Sequence, residues 1–294
     1  MLQSILGLWL LLLLGQGQLI AAAAGDTVTI TNASELRRLS HEELARAYPV
    51  RLTGVVTYSD PQWSLLFIHD GSAGSFVALA GGSYPTNTEL VEIVGRAGEG
   101  GFLPVVEAAS WRHLGTAAMP DARRINPSER FANEIDCEWL ELVGVVRRSV
   151  LNAAKDHFQI DVTGPGWRAR VFLPAPVGGD PSFLNQMIDA RVSFLGVGGV
   201  DYDAVRGFTD YKCFVPDRTR IKVLDTPAAD PFKLSCLPLA TVRGFSGTNT
   251  PVHRVHVHGI VTHLHAPGEM VLQEDNGAVR VLALPSHPER SNAE

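Results

Sequence analysis

The stretch Val50-Arg51-Leu52-Thr53-Gly54-Val55-Val56-Thr57-Tyr58, an Asp60-Pro61-Gln62-Trp63 turn, and Leu65-Leu66-Phe67-Ile68-His69-Asp70-Gly71-Ser72-Ala73-Gly74-Ser75-Phe76-Val77 form one unit that recurs along the chain. A second copy reads Leu140-Glu141-Leu142-Val143-Gly144-Val145-Val146-Arg147, then Phe158-Gln159-Ile160-Asp161, then Ala169-Arg170-Val171-Phe172-Leu173. A third reads Val255-His256-Val257-His258-Gly259-Ile260-Val261-Thr262, then Met270-Val271-Leu272-Gln273-Glu274-Asp275, then Val279-Arg280-Val281. Repetition of a whole unit constrains the architecture more strongly than the propensity of any one segment.

Each copy alternates apolar and polar residues with the period of a strand, placing Val50, Leu52 and Gly54 on one face and Arg51 and Thr53 on the other. Gly54, Gly144 and Gly259 each precede a Val-Val or Ile-Val pair, and a glycine inside a strand commonly marks a bulge or sharp bend. A long first strand that coils at a glycine, followed by two shorter strands, is the meander that opens a five-stranded OB barrel. Copy one continues into two further strand patterns, Leu90 to Arg96 and Pro104 to Ala108. Copy two does the same at Ala190 to Gly196 and Tyr211 to Val215.

The expected fold class is therefore all-β with short helices, built as tandem small five-stranded OB-like barrels with the third truncated, since after Leu284 only a polar run to Glu294 follows. Short helical leaders precede the copies, at Ser34 to Arg46 with a Ser40/Glu43 capping box, at Pro127 to Phe131, and at Leu237 to Phe245. The expected division is a signal peptide over residues 1–24, a leader and first barrel over 25–124, a second barrel over 125–225, and a leader with a partial third barrel over 226–294.

The chain has 294 residues, a net charge of -6 and 45% apolar residues. That length accommodates two or three small domains with their own cores. The acidic balance argues against a general nucleic-acid binder, so no nucleic acid is expected among the partners. An apolar run from Ile5 to Leu14, a Gly15-Gln16-Gly17-Gln18 break and Ala21 to Ala24 read as a secretory signal, and an exported, periplasmic or extracytoplasmic location is expected. The rival is an uncleaved anchor over residues 2–24, although only the Ile5 to Leu14 segment is strongly apolar and a full span needs about 20 such residues. Cys137, Cys213 and Cys236 are too few for a disulfide framework and lack zinc-type spacing, and read as buried small apolar residues, with one bridged pair as the alternative.

The run from Pro49 to Trp63 with Leu65 to Asp70 resembles the OB-fold input region of exported bacterial two-component sensor histidine kinases. Gly95 to Val105, Ile188-Asp189-Ala190-Arg191-Val192 and Asp230-Pro231-Phe232 extend the resemblance over roughly residues 30–284. It implies a periplasmic sensing region made of tandem barrels, ahead of a membrane helix and a cytoplasmic kinase. No kinase residue is present to carry over, so the chain is expected to be no enzyme and to be a fragment, a truncated product, or a sensor region encoded apart from its transmitter. Attachment to a membrane would come only through missing C-terminal segments or an uncleaved N-terminal anchor.

Candidate ligand-binding residues are Tyr58, Trp63, Phe67 and Asp70, because aromatics cluster on the first meander and OB barrels use the face of strands two and three for oligomeric ligands. Packing is the competing reading for Phe67 and Phe76, since a small barrel needs such large side chains. No metal site is expected: His256 and His258 share one face of the expected third-copy strand, with His263 and His265 on the other, and a solvated face is their first reading, metal binding by His256 and His258 the alternative. No cofactor is expected. The partner is a small or oligomeric ligand or a protein, and the alternative function is a free-standing exported OB protein that binds oligosaccharide or another polymer.

Overall fold

The structure, a computed structural model, describes residues 28–130, 132–176, 182–203, 207–242, 253–266, 268–275 and 277–282. The expected signal segment lies outside the described residues. Asn32 and Ser40 cap two one-turn helices, α1 (Ala33–Leu36) and α2 (His41–Leu44), and Ser40 and Glu43 form the capping box. Then come β1 (Pro49–Asp60), β2 (Leu65–His69), β3 (Gly74–Leu79), β4 (Glu89–Gly98) and β5 (Val105–Thr116), which close into a barrel in the order β1-β2-β3-β5-β4. This order is that of the OB fold.

The second unit repeats it. β6 (Arg123–Ile125), β7 (Trp139–Leu151), β8 (His157–Gly164), β9 (Trp167–Pro174), α3 (Ser182–Asn185), β10 (Arg191–Asp203), β11 (Gly207–Phe214) and β12 (Ile221–Asp225) follow in sequence. The sheet runs β12-β10-β11-β9-β8-β7-β6, and an additional β10–β7 pairing closes β7, β8, β9, β11 and β10 into a second barrel of the same order. The expected boundary at 124/125 falls inside β6, which pairs parallel with β7 and so belongs to the second sheet. In the third unit α4 (Leu239–Val242) precedes a three-stranded meander of β13 (Ile260–Ala266), β14 (Glu269–Glu274) and β15 (Gly277–Leu282).

Equivalence of the three units is visible in single contacts. A Cβ on Gly54 would lie 2.8 Å from the His69 carbonyl oxygen, one on Gly144 2.8 Å from that of Thr163, and one on Gly259 2.9 Å from that of Gln273. The glycine thus admits the carbonyl of the neighbouring strand. The bulge itself falls later, between Val56 and Tyr58, between Val146 and Arg148, and between Val261 and His263. The expectation that the glycine marks the bulge is corrected accordingly: close approach of the second strand requires the glycine, and the extra residue is absorbed three positions on. A second repeated device joins leader to barrel. Asp70 at the end of β2 accepts the Ala33 N–H at 2.6 Å, and Glu274 at the end of β14 accepts the Leu239 N–H at 2.9 Å.

Inward residues at equivalent positions fill both closed barrels. Leu52, Val56, Leu66, Ile68 and Val77 lie in the first core, and Leu142, Val146, Ile160, Val162 and Val171 in the second. In the third unit Val261, equivalent to Val56, is 47% exposed, and Leu264 is 71% exposed. Among the described residues β13 pairs with β14 alone, so one edge of it carries unpaired backbone groups. Backbone amides of Ile260–Ala266 are therefore expected to exchange with solvent at least about a hundredfold faster than those of Pro49–Asp60, at a gap of a few kcal/mol in opening energy. Equal protection of the two strands would show that the third unit is closed by chain outside the described residues.

Candidate functional site, the outer face of the first three strands

Ladder register assigns matching positions on the outer faces of the two barrels. Val55 pairs with His69 as Val145 pairs with Thr163, so Phe67 on β2 corresponds to Asp161 on β8. Phe67 pairs with Phe76 and Asp161 with Arg170, while His69 pairs with Gly74 and Thr163 with Arg168. The first barrel thus carries Thr57, Leu65, Phe67 and Phe76 where the second carries Arg147, Gln159, Asp161 and Arg170.

On the first barrel this face is covered by the second barrel. Tyr58, Phe67, Cys137, Trp139, Phe172, Val197 and Phe214 form one buried cluster drawn from both units. The Phe67 and Phe214 rings stack at 5.7 Å between centroids, Tyr58 meets Phe214 at 5.6 Å, and Trp63 meets Phe172 edge-on at 5.2 Å. At its margin the Asp60 Oδ2 lies 2.6 Å from His157 Nε2 and also accepts the Tyr58 hydroxyl at 3.3 Å. Asp60 Oδ1 takes the Gln62 and Trp63 amides, and the Trp63 ring stacks on the His157 ring at 3.6 Å. Asp156 Oδ1 sits 2.9 Å from His157 Nδ1, so the ring has a carboxylate at each nitrogen and no exposed surface. The His157 ring and the Asn152 amide hold Asp156 below the usual carboxylate range. Burial, with the nearby Asp60 charge adding to it, pushes the Tyr58 phenol far above its ordinary value.

Across from this pair, Arg37 of the leader holds Glu138 at 2.6 Å and donates to the Gly74 carbonyl at 3.1 Å. A Cβ on Gly74 would come within 1.8 Å of the Cys137 carbonyl oxygen, so only glycine lets β3 meet the second unit here. Burial works to raise the Glu138 carboxyl but is outweighed by His69, Arg37 and the Gly74 amide, which together hold it low.

The sequence-derived candidates divide on these contacts. Tyr58 and Phe67 lie inside the junction between barrels, and Trp63 is half-buried at its rim, so the aromatic cluster is not an open ligand surface; outward parity is satisfied by the second barrel. Asp70 binds its own chain. Its burial, which would raise it, is outweighed by the Ala33, Ser72 and Ala73 amides and the Ser72 hydroxyl, and it stays below the usual carboxylate range. His256 and His258 precede β13 instead of lying in a strand: the corresponding stretch of β1 pairs with β4, and among the described residues the third unit has no such partner. Among the described residues no three His, Cys, Asp or Glu side chains converge so as to hold one metal ion. Cys137 and Cys213 are buried, but Cys236 is exposed, against the expectation for all three, and none of the three is in a disulfide.

On the second barrel the equivalent face is open. Arg147, Gln159, Asp161, Thr163, Arg168, Arg170 and Asp210 line a groove of about 620 Å3 over β8, β9 and β11. Arg170 Nε lies 3.3 Å from Asp210 and the same guanidinium pairs with Asp201, which also holds Lys212. Arg168, its side chain 80% exposed, reaches Asp210 at 3.9 Å. His157 and the Arg147/Arg168/Arg170 set were not singled out in the sequence. The alignment of the copies places arginines where the first unit has Thr57, Gly74 and Phe76, and that contrast is the signal that could have found them.

No family model matches the chain, and no curated protein matches it. Solved structures do resemble it. An asparaginyl-tRNA synthetase from Entamoeba histolytica in complex with asparaginyl-adenylate aligns at 9% identity and a TM-score of 0.29, over 38% of this chain and 25% of that one. A HINa domain in complex with dsDNA aligns at 10% identity and a TM-score of 0.28, over 62% of this chain and 97% of that one. A murine DNA-binding protein bound with dsDNA gives 11% identity and a TM-score of 0.28, over 62% and 97%. This chain spans about a quarter of the length of the synthetases it matches. Alignments at these TM-scores carry no argument about what this chain binds or does. The expectation that nucleic acid is excluded as a partner is corrected on its own ground: it rested on the net charge of -6, and a net charge does not describe one surface, where Arg147, Arg168 and Arg170 lie together. No helix among the described residues is long and apolar enough to cross a membrane.

The Asp60–His157 pair is expected to be a coupled unit. Removing His157 in a His157→Ala variant leaves a buried carboxylate facing an apolar cluster and should cost about 3–5 kcal/mol of stability by urea unfolding. Combined with Asp60→Asn the loss should fall well short of the sum of the single losses. Strict additivity would show that the two side chains do not interact.

Proposed function

We propose that the chain is a non-catalytic binding region whose ligand is an elongated anionic oligomer laid along the groove over β8, β9 and β11. The single observation that carries this reading is that one outer face, equivalent in both barrels, is aromatic and covered in the first and arginine-lined and open in the second. Guanidinium groups present planar forks that match carboxylate, sulfate or phosphate oxygens two at a time. Gln159, Asp161 and Thr163 add amide, carboxylate and hydroxyl groups suited to neighbouring polar substituents. The second and third strands of an OB barrel are where such ligands lie.

The module order and its resemblance to sensor input regions support placing this binding event in an exported signal-transduction protein. The two barrels, joined through a buried interface, would receive the ligand as one body. A free-standing exported polymer-binding protein would use the same groove.

Fluorescence anisotropy with a labelled sulfated or uronate oligosaccharide, and separately with a labelled single-stranded oligonucleotide, tests the reading on the full chain. At least one anionic oligomer should bind with an affinity that falls as salt rises. Arg168→Ala should weaken it by about 1.5–3 kcal/mol, the range for a lost hydrogen bond to a charged group, with unchanged thermal stability. Absence of binding to either class, or binding unaffected by Arg168→Ala, would contradict the assignment. The class that binds decides between carbohydrate and nucleic acid.

A further inference from the structure

The third unit carries a side-chain series with no counterpart at the matching position of the first. Cys236 Sγ lies 2.9 Å from His258 Nδ1, and His258 Nε2 lies 3.6 Å from Glu274 Oε1. His258 immediately precedes Gly259, so its equivalent in the first unit is Thr53, before Gly54. We propose that Cys236 is a nucleophilic thiol that exchanges with low-molecular-weight disulfides, with His258 as its proton acceptor and Glu274 as the residue that orients the ring.

Geometry around the three residues is set by contacts that do not involve the sulfur. Cys236 forms a parallel bridge with His256, and the Leu237 N–H donates to the His256 carbonyl at 2.8 Å. The His256 ring is fixed in turn by the Leu234 carbonyl at 3.0 Å and the edge of Phe232. These contacts hold the leader beside the segment that carries His258. Glu274 is anchored through its other oxygen, which accepts the Leu239 N–H. The cysteine and the carboxylate thus approach opposite nitrogens of one imidazole from two separately anchored segments. That is the nucleophile, base and orienter arrangement in which an adjacent base activates a thiol.

Access is the second requirement, and it is met at this cysteine alone among the three. Cys236 is exposed and the His258 side chain is 72% exposed, whereas Cys137 and Cys213 are 5% and 0% exposed in barrel interiors or the junction. In the exchange, the Cys236 proton passes to His258 Nδ1 and the thiolate attacks one sulfur of the incoming disulfide. A new bond joins Cys236 to that sulfur as the original S–S bond breaks. The departing thiolate leaves with the second sulfur and takes the proton from His258. The disulfide supplies the oxidising equivalent, and no further reagent is consumed.

The test uses the full-length chain with oxidised glutathione and with an aromatic disulfide whose released thiolate absorbs visible light. Mass spectrometry should find one mixed disulfide per folded chain, at Cys236, with Cys137 and Cys213 unmodified until the chain is unfolded. His258→Ala should slow the reaction about tenfold or more, and added imidazole should restore part of the rate, which a merely misplaced cysteine would not regain. Cys236→Ser should abolish the reaction. The proposal is overturned if folded Cys236 reacts no faster than the same thiol in the unfolded chain. It is overturned equally if His258→Ala reacts at the parent rate, or if its slower rate does not respond to imidazole.

Discussion

A carboxylate and an imidazole meeting at 2.6 Å inside the junction of two barrels are the contact on which the arrangement depends. Asp60 ends β1, where its other oxygen fixes the turn through the Gln62 and Trp63 amides, and His157 starts β8 in the second unit. Burying such polar groups costs several kcal/mol unless the remaining hydrogen-bonding capacity is filled. Here Tyr58, the turn amides and Asp156 fill it. The pair offers orientation more than net stability: it admits one docking of the barrels, and the aromatic cluster beside it supplies the apolar burial.

That docking decides what each barrel can do. A five-stranded barrel has one outer face over its first three strands suited to ligands, and the first barrel commits that face to its neighbour. That docking depends on Gly74, since any side chain there would meet the Cys137 carbonyl. The second barrel keeps the matching face free, and Arg147, Arg168 and Arg170 replace Thr57, Gly74 and Phe76. A duplicated fold thus uses one copy of a surface for assembly and leaves another for recognition.

Much of this architecture was legible in the residues. A glycine before Val-Val or Ile-Val identified three copies, and apolar alternation put Val50 and Leu52 on one face, which the structure buries. Ser40 and Glu43 announced a helix start that the structure contains. The misses share one cause: strand parity says which way a side chain points but not what lies opposite. Phe67 points outward as expected, yet the second barrel covers it. Asp60 and His157 are 97 residues apart, and Cys236 and His258 are 22 apart, so no local spacing signals either pair. The expected strand over 255–262 begins only at Ile260, because among the described residues the preceding stretch lacks the partner that β4 gives β1.

The central claim is that the outer aromatic face of the first barrel is buried against the second. Hydroxyl-radical footprinting of the native chain reads this directly, because oxidation of each aromatic ring reports its access to solvent. Tyr58, Phe67 and Phe214 should be protected as fully as the core residues Phe158 and Phe194, while exposed Tyr202 and Phe232 are oxidised rapidly. Oxidation of Tyr58 and Phe67 at the rate of Tyr202 would mean that the barrels do not dock through this face, and the assignment of binding to the second barrel would fall with it.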